Sequence, residues 1–285
     1  MSSQVVKFSN FSVDNIKLAD PRKLNNGGKM VYLNYSGKPL NLLCPKMSLP
    51  FGISEFIDEN TGTKKYHIDL SFRGMEENDE LAQFHRSLGE LDEFMKKQAS
   101  KNSTKWFGGK AKSAEVIEEL YAPVLKKSKN KQTGEPDGKY PDTFKAKLLY
   151  DNATTEFTCS LYDMSTKEEI TTPPDMYLTK GTTMKAIVRC NGVWFAGGRF
   201  GLSFRLEQAK VQAPSGRLNG YAFDDDEDED DAPVQEEVVH SDGEDEASVN
   251  DDENDDDVVD DEEERPSTPP SPKKKVVRRR GKKTV

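Results

Sequence analysis

Cysteine is scarce in this 285-residue chain. There are three, Cys44, Cys159 and Cys190, an odd number with no Cys-x-x-Cys spacing. That excludes a disulfide framework and points to free thiols in a reducing compartment. Histidine is equally rare. His67, His85 and His240 have no Cys or His neighbour at ligand spacing, so no metal site and no cofactor is expected. No apolar run approaches 18 residues and the mean hydropathy is −0.82, so no membrane span is expected. The opening MSSQVVKFSNFSVD lacks a charged segment followed by an apolar one, so no secretory leader is expected either.

Signatures of catalysis are also missing. Around Gly109-Lys110, Thr104 stands where a phosphate-binding loop needs its first glycine and Ala111 where it needs Ser or Thr. Gly192, Gly197, Gly198 and Gly201 fall in a strand–turn–strand context with no following helix. Neither a Gly-x-Ser-x-Gly elbow nor a His-Glu-x-x-His pair occurs. The carboxylate pairs Glu76-Glu77 and Glu118-Glu119 read as solvated helix faces. Nothing here argues for an enzyme.

Charge, by contrast, is abundant and segregated. Lys and Arg number 41 against 51 Asp and Glu, a net charge of −10. Residues 221–264 hold 25 of the acids and no base, and residues 265–285 hold 9 bases and no acid. Residues 1–220 are left with 32 bases against 26 acids, a net +6. A mildly basic body beside a detached polyanion points to polyanion chemistry.

Up to about residue 212 the pattern is mainly β with inserted helices. Period-two alternation marks strands at 66–73, 144–149, 157–162, 184–190 and 199–206, with weaker ones at 11–18, 29–36 and 40–44. Asn191-Gly192 between apolar runs reads as a hairpin turn. Leu81, Phe84, Leu88, Leu91, Phe94 and Met95 recur at helical spacing, so a long amphipathic helix is expected over 77–99. Ser113 can cap a second helix through Val116, Ile117 and Leu120, stopping near Pro123. An OB-fold-like barrel is the expected architecture, with a β-sandwich as the competitor. Residues 125–141 read as a polar, Lys-rich loop. Three regions follow: a nucleic-acid-binding domain over 1–212, a disordered acidic tail over 213–264, and a Pro/Ser then Lys/Arg-rich terminus over 265–285.

Binding chemistry concentrates in two places. Residues 176–217 carry seven bases and one acid, Glu207. Lys185 and Arg189 share a strand face, as do Arg199 and Arg205, and as do Lys145 and Lys147. Trp194 and Phe195 point to opposite sides, which leaves one ring beside the cations, and Trp194 is the favoured one. The second cluster holds Lys105, Trp106 and Lys110. For both tryptophans a core position is the competing reading. Cations beside flat rings suit single strands, whose phosphates pair with Lys and Arg while bases stack on aromatics.

The tail has its own possibilities. A flexible polyanion resembles a phosphate backbone and can compete for the basic face. Lys273, Lys274, Lys275, Arg278, Arg279 and Arg280 read as a nuclear localisation signal or a DNA arm. Thr268-Pro269, Ser271-Pro272 and Ser241-Asp242-Gly243-Glu244 look like kinase sites.

Several segments carry a family resemblance: Val31-Tyr32-Leu33-Asn34-Tyr35, Leu49-Pro50-Phe51-Gly52, Lys105-Trp106-Phe107-Gly108, and Gly192-Val193-Trp194 through Phe200-Gly201. With them, residues 10–212 resemble phage-type single-stranded-DNA-binding proteins, and more closely their relatives in nucleocytoplasmic large DNA viruses. The resemblance implies coating of single strands in viral DNA replication, recombination or repair, with an acidic tail recruiting replication proteins. One departure stands out. Phage members end in acid capped by an aromatic, whereas this chain ends Gly281-Lys282-Lys283-Thr284-Val285 after a basic block. That points away from docking by the tail tip and toward a nuclear address.

The expectation is therefore a non-enzymatic protein whose partner is single-stranded DNA, with RNA still open and a homodimer compatible. Its place is intracellular, in the host nucleus or at a viral replication site. An acidic-tailed chaperone of histones or other basic proteins is the main rival, and a duplex-DNA architectural protein the next.

Overall fold

A computed structural model describes residues 5–24, 27–59, 61–130 and 132–212. The expectations for the acidic stretch, the basic terminus and the residues Lys273 to Arg280 lie outside the described residues.

Five strands carry the architecture: β1 (Asn41–Ser48), β2 (Lys64–Ser71), β3 (Thr143–Leu148), β4 (Thr183–Ala196) and β5 (Arg199–Gln212). They form where the sequence alternates, because a half-buried strand needs an apolar side chain at every second position. Their pairings run β1–β2–β3–β5–β4 and return to β1, a ring in which β3–β5 is the parallel junction. Two junctions are narrow. β1 meets β2 at Ser48 and Ser71, and β3 meets β5 at Lys147 and Arg205. Strand Ile53–Ile57 pairs with the rest of β2. Arg22–Lys23 and Lys29–Val31 extend the sheet at the far end of β4, and Ser160–Asp163 runs parallel to β5.

One side of each ring strand is core. Ile68, Leu70, Phe144, Ala146, Met184, Ala186, Val188, Phe204 and Leu206 are all buried. Helix α1 (Asp79–Lys101) packs Leu81, Phe84, Leu88, Leu91 and Met95 into the same core. The Phe84 ring meets Phe8, Phe72 and Phe144 at centroid distances of 6.0, 5.8 and 5.9 Å. The helix begins where it does because Asn78 Oδ1 accepts the N–H groups of Glu80 (3.0 Å) and Leu81 (3.2 Å). Ser113 caps the helix α3 (Ala114–Leu120) as expected. A short helix between them, α2 (Ser103–Phe107), is one the sequence pattern does not announce.

Two expectations are corrected. Asn191-Gly192 is no hairpin turn. Both residues lie inside β4, and the chain reverses at Gly197-Gly198, where Ala196 faces Arg199. The alternation over 157–162 does not make one strand either, because Glu156–Phe157 pairs with Tyr150–Asp151 while Ser160–Asp163 joins β5. Within the expected loop, Leu125–Lys126 pairs with β3, Asn130 N–H donates to Glu135 O and Gly134 N–H to Asn130 O, both at 2.8 Å.

A carboxylate ties the helical layer to the sheet. Asp92 of α1 is buried and accepts Tyr121 Oη at 2.6 Å and the N–H groups of Val124 at 3.0 Å and Leu125 at 3.5 Å. Tyr121 and Ala122 in turn pair with Phe200 and Gly201 of β5. Desolvation holds the Asp92 carboxyl above its ordinary range despite these donors, and burial pushes the Tyr121 hydroxyl well up. The folded chain then binds the Asp92 proton more tightly than the unfolded chain. Its contribution is fully present below the ordinary carboxylate pKa and declines as pH rises toward the folded value. Replacing Asp92 with Ala strands three donors in a dry site and is expected to cost about 1–3 kcal/mol in urea unfolding. An unchanged midpoint would contradict the tie.

Candidate nucleic-acid interface

The side of β4 away from the core carries Lys185, Ile187 and Arg189, since Met184, Ala186, Val188 and Cys190 fill the other side. Register decides what stands beside them. Lys185 lies between Lys46 of β1 and Lys210 of β5, and Lys210 is in register with Tyr162. Four residues further along, Arg189 lies beside Arg205, Arg205 beside Lys147, and Lys147 beside His67. Two transverse rows of basic side chains thus cross one continuous face, about 13 Å apart at the usual rise per strand residue.

Trp194 joins this face through a bulge. Strict alternation from Arg189 would send residue 194 to the core. The register slips between Cys190 and Gly192, and every later side chain changes sides. Gly192 has φ +129°, and a Cβ there would stand 2.6 Å from the Val31 carbonyl oxygen, so the slip requires glycine. Beyond it Val193 is buried and Trp194 half-buried. The indole lies over Gly201, with Cζ2 3.1 Å from the point a Cβ would occupy. Phe195 turns inward against Trp106, Phe107 and Phe200, at 5.6, 5.8 and 6.0 Å between centroids.

Seven of the expected residues are therefore brought together. Lys145, Lys147, Lys185, Arg189, Trp194, Arg199 and Arg205 share the outward face. Its chemistry is not purely cationic. Asp69 is in register with Lys145, and burial raises its carboxyl while Lys145 and Lys126 oppose that rise. Arg205 Nε donates to Glu207 Oε1 at 2.7 Å. Lys46 Nζ donates to Gln212 Oε1 at 2.9 Å.

The second cluster does not form an exposed patch around its tryptophan. Trp106 is 2% exposed and packs on Phe195 and Phe200, on the core side of the β4–β5 hairpin. The reason is local. α2 folds Trp106 and Phe107 over the hairpin, and the Trp106 carbonyl accepts Lys29 Nζ. Lys29 also stands 4.5 Å from the Phe195 centroid, and burial lowers its pKa. Lys105 and Lys110 stay exposed, Lys105 paired with Asp20.

Lys46, His67 and Tyr162 belong to the rows without having been singled out in the sequence, and Lys210 counts among the seven bases of 176–217 without being assigned to the face. Lys46 follows a proline in β1, beyond the apolar stretch that marks the strand. Lys210 follows the bulge residue Glu207, where the alternation of β5 breaks.

Burial pushes the thiols of Cys190 and Cys159 up to about 12 and about 11, and that of Cys44 higher still, so none is a ready nucleophile. Among the described residues no cluster of three His, Cys, Asp or Glu side chains could hold a metal, and no helix is long and apolar enough to cross a membrane.

No protein-family model matches the chain, and no curated protein does. Some solved structures are similar. One is the single-stranded DNA-binding protein from bacteriophage Enc34 in complex with ssDNA, at 13% identity over 70% of this chain and 98% of that one, with a TM-score of 0.34. Another is gp2.5, a single-stranded DNA binding protein encoded by bacteriophage T7, at 12% identity over 68% and 97%, with a TM-score of 0.36. Likeness of this degree lies below the level at which fold or function passes from one chain to another.

The two tryptophans should respond oppositely to truncation. Trp106→Ala is expected to cost about 3–5 kcal/mol in urea unfolding, as for other large aromatics removed from a core. Trp194→Ala should cost clearly less. The reverse order would exchange the surface and core assignments.

Proposed function

We propose that this chain is a non-enzymatic single-stranded-DNA-binding protein whose β1–β5 ring is an OB-type barrel. The observation that carries the reading is the alignment of two cationic rows across β1–β5 with Trp194 turned onto the same face. A single strand offers what this face complements: phosphates for Lys and Arg, and open base faces for an indole. A duplex keeps its base faces stacked inside. Phosphate pairing and stacking on a flat ring do not depend on base identity, so binding is expected to be tolerant of sequence.

The resemblance of residues 10–212 to the large-DNA-virus branch supplies the setting, which is coating of single strands during viral DNA replication, recombination or repair. Residues 221–264, with 25 acids and no base, would compete weakly for the face and recruit replication proteins. Lys273 to Arg280 would serve as a nuclear signal, and the free cysteines suit a reducing compartment.

Anisotropy titration of the full chain with labelled oligo-dT and with a duplex of equal length, over several salt concentrations, tests this. The single strand should bind more tightly, with a log–log salt slope of roughly 0.7 per phosphate contact. Replacing Lys147, Arg189 and Arg205 together by Ala should flatten that slope by up to about 2. Equal affinity for duplex would favour an architectural protein. Binding to neither, with capture of histones, would move the function to the acidic stretch.

A further inference from the structure

Trp194 is not the only ring on the outward face. Tyr162 sits in strand Ser160–Asp163, parallel to β5 and in register with Lys210, so it continues the row Lys46–Lys185–Lys210, and on its other side stands the exposed Glu169 of strand Glu169–Ile170. It is half-buried, as Trp194 is, and no hydrogen bond or ring contact engages it among the described residues. Tyr66 of β2, by comparison, packs with Tyr150 and Phe157 at 4.8 and 5.0 Å between centroids. Leu161, next to Tyr162 in the strand, is buried and supplies the anchoring that Tyr162 does not.

Resting on the reading above, we propose that Tyr162 is a second base-stacking residue and that the bound strand runs along the β4–β5 hairpin from Tyr162 to Trp194. Along β5, nine positions separate Lys210 from Gly201, the register partners of Tyr162 and Trp194, and one of them is taken up by the bulge. At the usual rise, the two rings stand about 26 Å apart along the strands. Each ring lies at an end of the cationic face. The lysine row stands beside Tyr162, and the row of Arg189, Arg205 and Lys147 lies between the two rings. A strand following this path would meet a flat surface, phosphate-binding cations, and a second flat surface, in that order.

The test separates a stacking ring from a structural one. With the full chain and a 30-nucleotide oligo-dT, Tyr162→Ala should weaken binding by roughly 5- to 150-fold, the range for loss of one stacked base. Its log–log salt slope should stay that of the wild type, because a ring releases no counterions. Tyr162→Phe keeps the ring and should bind within about twofold of wild type on the same stacking argument. Wild-type affinity in Tyr162→Ala, while Trp194→Ala is weakened, overturns this inference and leaves the binding face standing. Equal losses in Tyr162→Ala and Tyr162→Phe would assign the effect to the hydroxyl, and a flattened salt slope would assign it to a disturbed Lys210. Either result overturns stacking. If the wild-type chain fails to bind oligo-dT, the parent reading falls and this one with it.

Discussion

A side chain at position 194 faces the cations because one residue of β4 has no opposite number in β5. In a sheet whose one face is core, a slip of a single residue exchanges inside for outside, and nothing downstream can restore the order without a second slip. The exchange happens between Cys190 and Gly192, where the Val31 carbonyl comes too close for any Cβ. Before it, even-numbered residues face the core. After it, Val193 and Phe195 do, and Trp194 is released. The same step lets Phe195 join Trp106, Phe107 and Phe200, so one backbone irregularity builds the aromatic core at the hairpin and sets the half-buried indole on its reverse.

Much of the fold is legible in the residues because the ring strands alternate so regularly. Phe144, Ala146 and Leu148 against Lys145 and Lys147, or Ile68 and Leu70 against His67 and Asp69, state both the strand and its buried face. The long helix is equally plain from Leu81 to Met95. What the pattern hides is every place where regularity stops. Asn191-Gly192 has the composition of a turn and serves as a bulge, because tertiary contact with Val31 sets its conformation rather than the local dipeptide. Trp106 has the company of a surface ring, with lysines on both sides, and is core because α2 folds it onto the hairpin. Local charge does not show where a helix will lie.

Register is the other thing that sequence does not display. Lys147, Arg189 and Arg205 are individually visible as outward cations of three strands. That they stand side by side in one row depends on a parallel junction of β3 with β5 that a single residue pair makes. Lys46, Lys185 and Lys210 align the same way from strands far apart in the chain. Such rows place like charges at neighbouring positions, which concentrates positive potential on one face of the sheet. Glu207 and Asp69 stand among these cations, beside Arg205 and Lys145. The composition of the remainder follows the same logic, since a body of net +6 is joined to an acidic stretch that carries 25 negative charges and no positive ones.

The most direct examination of the central claim is photo-crosslinking of oligo-dT to the full chain, followed by mapping of the adducts to peptides. The account predicts adducts on the outward face of β4 and β5, foremost at Trp194 and its neighbours, and none at Trp106. Adducts confined to residues 265–285, or centred on Trp106, would contradict it.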